Sequence, residues 1–341
     1  MILFRVDGNK LIASGHVMRC LSFAIVFRSR GIDSAFVCAD DAFMEKITKE
    51  NFDCYVLNTN YRNMDAELPI FEDILKELNP EAVIVDSYFV TYHYLYTITE
   101  KCKTAYIDDL NAFDYPVNVV INYCVSAKRE NYRSNKNKVY FLGPSYTPLR
   151  QQFLEAEKCQ INPHIENVLI TIGGSDSFGF CTGLFEYILN QQLSCDFTFS
   201  IVAGTFMAAS ELEKLRILSA QSKNIVLHHN VDNMSNLMLN CDVAVSAGGS
   251  TLYELCYCGV PTIVICTADN QKNNISGFVK QQAIVFAGEA GDSETYAAVC
   301  MLLGELKYQE KRKTLSKNAV GCVPVKVDNI FEFLSGLGIK W

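Results

Sequence analysis

The chain has 341 residues, 49% hydrophobic and 20% charged, with a formal net charge of −8 from 30 basic and 38 acidic side chains. That apolar content excludes a disordered chain, and a length suited to roughly two domains excludes a small scaffold held by disulfides. The acidic balance excludes non-specific nucleic-acid binding, which needs a basic surface to displace counterions from phosphates.

The 14 cysteines run from Cys20 to Cys322 without CxxC or zinc-ligand spacing. Free thiols in a reducing compartment are expected, and no metal site. In "MILFRVDGNK", Arg5 and Asp7 fall where a signal peptide needs its apolar stretch. No run approaches the ~20 apolar residues of a membrane span. The expectation is a cytoplasmic protein with no membrane insertion.

In chain order, strands are predicted over 2–6, 34–38, 54–57, 82–86, 104–108 and 117–122, with helices near 16–30, 40–50, 67–78 and 90–101 between them. The first helix has Val17, Cys20, Leu21, Ala24 and Phe27 at helical spacing, and Gly31 suits its stop. After 146–165, read as a linker with a short helix, the pattern restarts. Strands follow at 167–174, 196–204, 224–228, 241–249, 261–266 and 283–288, with helices near 179–191, 209–219, 232–240, 250–258, 271–281, 292–306 and 309–318. The alternation predicts two α/β domains, 1–145 and 166–341, each a parallel sheet covered by helices. A cleft between them is the expected ligand site, because ligands lie beyond the carboxyl ends of such strands.

Two glycine turns carry the most information. "SAGGSTLYE" ends a strand, turns at Gly248 and Gly249, and opens a helix with Ser250 as its expected N-cap and Thr251 next. Free N–H groups there suit a diphosphate. Glu254, one turn deeper and read as an exposed helical residue, could accept hydrogen bonds from ribose hydroxyls. "IGGSD" (Gly173, Gly174) and "TADNQ" (Asn270, Gln271) are weaker signals of the same kind. In the first half, His16 falls at the first turn of a helix just after the first strand. The positive end of the helix dipole would favour a neutral ring able to take a proton. Asp86, Ser87 and Tyr88 follow another strand end at the expected cleft, and Asp108 and Asp109 a third, where these two aspartates are expected to orient the loops.

Taken together, "FRVDGNKLIASGHVMRCLSFA", "VDSY", "IDD", "LGPSYTPLRQQF", "ITIGGSD" and "SAGGSTLYELCYCGVP…TADNQ" resemble, in order and over most of the chain, the PseG-type nucleotide-sugar hydrolases of pseudaminic acid synthesis. The family's GxGH pattern reads here Ala13, Ser14, Gly15, His16. The resemblance implies two Rossmann-like doubly wound domains facing a cleft, the GT-B architecture. It implies release of UDP from a UDP-linked 2,4-diacetamido-2,4,6-trideoxy hexose, without metal or other cofactor. His16 would be the general base. Gly248, Gly249, Ser250 and Thr251 would hold the diphosphate, Glu254 the ribose, and Asn270, Gln271 and Tyr88 the sugar side. Arg5, Asp7, Gly15, Gly173 and Gly174, in the same matched segments, are taken as further substrate-binding residues. A GT-B glycosyltransferase using the same UDP site and base, or a nucleotide-sugar binding protein without turnover, are the competing expectations.

Overall fold

A computed structural model describes all residues except 10, 11, 13, 134–137, 192–196, 230 and 341. The chain divides into two units, Met1–Gln151 with Val325–Trp341, and Gln152–Pro324.

The first unit holds seven strands: β1 (Ile2–Val6), β2 (Ser34–Cys38), β3 (Asp53–Val56), β4 (Ala82–Asp86), β5 (Lys103–Ile107), β6 (Val119–Asn122) and β7 (Val139–Leu142). They pair in the order β3-β2-β1-β4-β5-β6-β7, all parallel. The central strands are short runs of branched and aromatic residues, buried throughout, as strands covered on both faces must be. The second unit holds β8 (Asn167–Thr171), β9 (Thr198–Ala203), β10 (Ile225–His229), β11 (Val243–Ala247), β12 (Thr262–Cys266) and β13 (Val285–Glu289). Their order is β10-β9-β8-β11-β12-β13, again all parallel. In each sheet the winding reverses beside the first strand, between β1 and β4 and between β8 and β11. Connections leave those neighbours towards opposite faces, which opens a crevice at their carboxyl ends.

Three expectations need correction. Residues 139–142 form an edge strand, β7, where the strand prediction had stopped at 122. The helix Val327–Gly336 escaped the sequence reading, and the segment from 325 belongs with the first unit, not the second. The physical reason is aromatic. Phe333 packs edge-on against Phe23 and Phe27, with ring centroids 5.2 and 5.4 Å apart, and Phe331 lies 6.2 Å from Phe27. The helix Gly15–Arg28 is therefore buried on two faces, Phe23 and Val26 as well as the expected Val17, Cys20, Leu21, Ala24 and Phe27. Finally, helix Ser250–Cys258 has Gly249, not Ser250, as its N-cap, without any side-chain cap.

All thirteen cysteines among the described residues are free thiols. Among the described residues no helix is long and apolar enough to cross a membrane.

Candidate functional site

In the first unit, His16 is the second residue of helix Gly15–Arg28, reached by the loop after β1, and Asp86 is the last residue of β4. Because β1 and β4 are neighbours at the winding reversal, two residues 70 positions apart meet. His16 Nδ1 lies 2.6 Å from Asp86 Oδ1, and both side chains are buried. Arg19, one turn along the helix, grips the same carboxylate with two donors, Nε to Oδ2 at 2.5 Å and Nη2 to Oδ1 at 2.6 Å. Its Nη1 donates to both oxygens of Asp109, at 3.0 and 2.9 Å, and to the Tyr123 hydroxyl at 2.8 Å. Tyr88 donates its hydroxyl to Asp109 Oδ2 at 2.8 Å, and its ring stands edge-on to His16 with centroids 4.5 Å apart.

Burial alone would raise the Asp86 pKa. Arg19 and His16 reverse that and hold it well below the usual carboxylate range. An ionised carboxylate only accepts, so Nδ1 of His16 carries a proton, and Nε2 is the ring atom left to exchange one. Arg19 Nη2, 3.1 Å from Nδ1, is a donor too and lies alongside without bonding to it. The ring thus has the fixed orientation of a general base. His16 lines a shallow indentation together with Asp7, Ile12, Asp86, Ser87, Tyr88 and Phe89. Gly15 is exposed, and a Cβ there would meet nothing within 4 Å. Ala13 lies outside the described residues.

Since its folded pKa is depressed, Asp86 adds stability that is fully present above its unfolded pKa of about 3.9 and is lost as pH falls through the folded value. Urea midpoints measured from neutral to acid pH should fall below about pH 4. Asp86→Asn should show a smaller fall over that acid window; an identical profile would show that the carboxylate adds nothing.

Arg5 and Asp7 require correction as substrate ligands. Arg5 is completely buried, with Nε and Nη2 donating to Glu67 at 2.6 and 2.8 Å and Nη1 2.8 Å from Asp7 Oδ2. Asp7 Oδ1 accepts from the Ala39 N–H at 2.8 Å. Arg5 has no surface to offer, and Asp7, though it borders the indentation at His16, is committed to the frame. Arg19 is the residue that sequence reasoning missed, and Asp86, expected at the cleft, had no role assigned. The available signal was an arginine three residues after the histidine on an otherwise apolar, buried helix.

In the second unit, the turns after β8 and β11 share the edge where Ser246 Oγ donates to Thr171 O at 2.9 Å. Gly173 (φ +97°) and Asp176 (φ +41°) both take left-handed conformations. Asp176 offsets that cost by accepting the N–H groups of Phe180 and Cys181, at 2.8 and 3.0 Å, at the start of helix Phe180–Asn190. Gly204, just after β9, packs so closely that a Cβ would collide with the carbonyl oxygens of Gly173 and Gly174. Gly204→Ala should destabilise the protein by about 1–3 kcal/mol through displacement of this turn. Urea denaturation checks it, and no change would mean that the turn yields freely.

After β11, the Gly248 N–H is already taken. It donates to Gln271 Oε1 at 3.2 Å, and the same oxygen accepts from Thr267 N at 3.0 Å. Gln271 is thereby a bracket between two loops, which corrects its expected place on the sugar side. The N–H groups of Ser250 and Thr251 open helix Ser250–Cys258, where the first turn has no intrahelical acceptors. Ser250 is exposed and Glu254, one turn later, is only 7% exposed, which corrects the expected surface glutamate. Asn270 is exposed in the single turn Asp269–Gln271. The structure thus gathers His16, Gly15 and Tyr88 in one unit and Gly248, Gly249, Ser250, Thr251 and Glu254 in the other, with Gly173 and Gly174 on the adjacent strand end.

Residues 149–291 match the glycosyltransferase family 28 C-terminal domain. The chain is 28% identical over 295 residues to the uncharacterized protein MJ1062 of Methanocaldococcus jannaschii, covering 81% of this chain and 57% of that one. It is 27% identical over 213 residues to the UDP-N-acetylglucosamine–N-acetylmuramyl-(pentapeptide) pyrophosphoryl-undecaprenol N-acetylglucosamine transferase of Alkaliphilus oremlandii, 59% of this chain and 57% of that enzyme. It is 26% identical over 194 residues to the pseudaminic acid cytidylyltransferase and UDP-2,4-diacetamido-2,4,6-trideoxy-β-L-altropyranose hydrolase of Helicobacter pylori, 55% of this chain and 34% of that protein. The matches therefore span little more than half of the first two proteins and a third of the last. Among solved structures, MurG of Acinetobacter baumannii superposes with a TM-score of 0.67 at 13% identity, covering 99% of both chains. Two doubly wound parallel-sheet units, with the family 28 match beginning at the end of the first and covering most of the second, give this chain the GT-B fold of the MurG-type glycosyltransferases.

Proposed function

We propose that the chain is a nucleotide-sugar enzyme that breaks the bond between the anomeric carbon of a sugar and the diphosphate of UDP. The observation that carries this reading is the buried pair of His16 and Asp86, which fixes the imidazole and leaves its Nε2 as the atom to take a proton. In the reaction an acceptor oxygen forms a bond to C1 as the bond from C1 to the UDP oxygen breaks. The acceptor proton passes to His16 Nε2, and the electron pair leaves with UDP. A single displacement of this kind inverts C1. The N–H groups of Ser250 and Thr251 would stabilise charge growing on the diphosphate, so no metal is needed for that purpose. Glu254 would take the ribose hydroxyls, with Gly173, Gly174, Gly248 and Gly249 letting the backbone approach the nucleotide. Gly15, Tyr88 and Asn270 would lie against the sugar.

The match to family 28 and to an N-acetylglucosamine transferase favours a sugar hydroxyl as the acceptor. Water as the acceptor, giving a hydrolase of a UDP-diacetamido-trideoxy hexose, is the second reading. It is favoured by the ordered motifs around His16, Tyr88 and Gly248 and by the match to the Helicobacter pylori protein. UDP release should be followed across a panel of UDP-sugars in EDTA, with and without saccharide acceptors. Release that needs an acceptor identifies transfer, and release without one identifies hydrolysis. Binding without any release would overturn both.

Glu254→Gln should weaken UDP binding by about 1.5–3 kcal/mol, the scale of a hydrogen bond to a charged group. The loss should be smaller for 2′-deoxy-UDP, as calorimetry with both nucleotides would show. Equal losses would mean that Glu254 does not read the 2′-hydroxyl.

A further inference from the structure

Parallel strands need a covering layer on each face. Between β5 and β6, and between β6 and β7, the described residues include no α-helix, only the three-residue turn Arg129–Asn131. The described residues there border a cavity of about 560 Å³. That volume is within the range of small-molecule sites, about 300–1,000 Å³. Five aromatic side chains line it, Tyr92, Phe113, Tyr115, Tyr132 and Tyr140, among polar neighbours that include Arg133.

Two of the cations around this cavity are engaged within the protein. The Lys138 ammonium sits 2.5 Å from Asp114, and the Arg129 guanidinium lies over the Tyr140 ring at 4.1 Å. Tyr115 and Tyr132 donate their hydroxyls to the two oxygens of Asp108, at 2.8 and 2.5 Å. The amides of Asn111 and Asn131 and the exposed Arg133 border the cavity beside these rings. Tyr92 adds an exposed platform, stacked 6.2 Å from Tyr96 with the rings nearly parallel.

We infer that this cavity binds a saccharide. A pyranose ring has an apolar C–H face to lay on tyrosine and a rim of hydroxyl or amide groups for the asparagines, and it brings no charge for which the walls lack a partner. An alkyl chain would leave the polar rim unpaired. The site rests on none of the residues assigned to the nucleotide. It adjoins the His16 network all the same, because Asp108, which holds Tyr115 and Tyr132, precedes Asp109, which holds Tyr88 and Arg19.

Saturation-transfer NMR on the full chain, with excess UDP present, tests this directly. The probes are N-acetylglucosamine, N,N′-diacetylchitobiose, glucose, galactose and rhamnose, each at about 5 mM to reach millimolar affinities. Ring C–H protons of at least one probe should receive saturation. Tyr92→Ala and Tyr140→Ala should each reduce it at least about fivefold, as for loss of an aromatic anchor, while His16→Ala leaves it unchanged. Tyr92 is exposed, so that variant should fold even if Tyr140→Ala does not; circular dichroism checks both. No saturation of any probe, or saturation indifferent to Tyr92→Ala, would overturn the site. The readout is binding, so failure of the UDP-sugar reaction would leave this inference standing.

Discussion

His16→Ala should lower turnover of a UDP-sugar by about 10²–10⁴-fold, the usual contribution of a positioned general base. UDP affinity should change by no more than about twofold, because the base acts in the transition state and the nucleotide is assigned to the other unit. The fold should survive, since Asp86 keeps both of its bonds to Arg19. Asp86→Asn should cost a similar factor by a different route. An amide in that place can present a donor to Nδ1, which favours the wrong tautomer and occupies the pair that would accept the proton. Combining the two substitutions should cost little more than either alone, because both remove one device. Steady-state rates and UDP calorimetry on the three variants test this. Unchanged turnover in His16→Ala would reduce the histidine to a packing residue.

The largest effect on stability is expected from Glu67→Ala. Glu67 and Arg5 are both completely buried, joined by two hydrogen bonds of 2.6 and 2.8 Å. Glu67 also accepts from the hydroxyls of Tyr94, at 2.7 Å, and Thr59, at 3.2 Å. Burial by itself would lower the Arg5 pKa, but Asp7, Glu67 and Tyr94 outweigh it and raise the value well above that of an ordinary arginine. A guanidinium is not deprotonated in proteins, so Arg5 stays charged when Glu67 is removed. Truncating one member of such a pair costs about 3–5 kcal/mol, since the remaining charge is stranded in the interior. Urea denaturation of Glu67→Ala measures this, and Glu67→Gln, which keeps an acceptor, should lose less. A loss below about 1 kcal/mol would show that Asp7 alone suffices for Arg5.

Much of this was legible in the sequence because parallel strands announce themselves as short apolar runs ended by glycine or aspartate. Val6, Asp86, Thr171 and Ala247 all end their strands close to where that pattern places the ends. The pairing of His16 with Asp86 was not legible, because only the strand order brings those segments together. Nor was the commitment of Gln271 to Gly248 and Thr267, since a polar loop residue reads alike whether it faces ligand or backbone. Strand β7 is four residues long and lies at the sheet edge, with Val139 exposed, so its apolar signal is weak. The helix Val327–Gly336 did carry a signal, Ile330, Phe331, Phe333 and Leu334 at helical spacing. Which sheet it covers depends on Phe23, Phe27 and Phe141, all distant from it along the chain.

The central claim is that a base in the first unit directs an oxygen to the anomeric carbon of a UDP-sugar. The mass of UDP released in ¹⁸O-labelled water tests it most directly. Attack at C1 leaves the bridging oxygen with the diphosphate, so the UDP should carry no label whether water or a sugar hydroxyl is the acceptor. UDP bearing ¹⁸O would mean attack by water at phosphorus, and the role of His16 as a base acting at C1 would be contradicted.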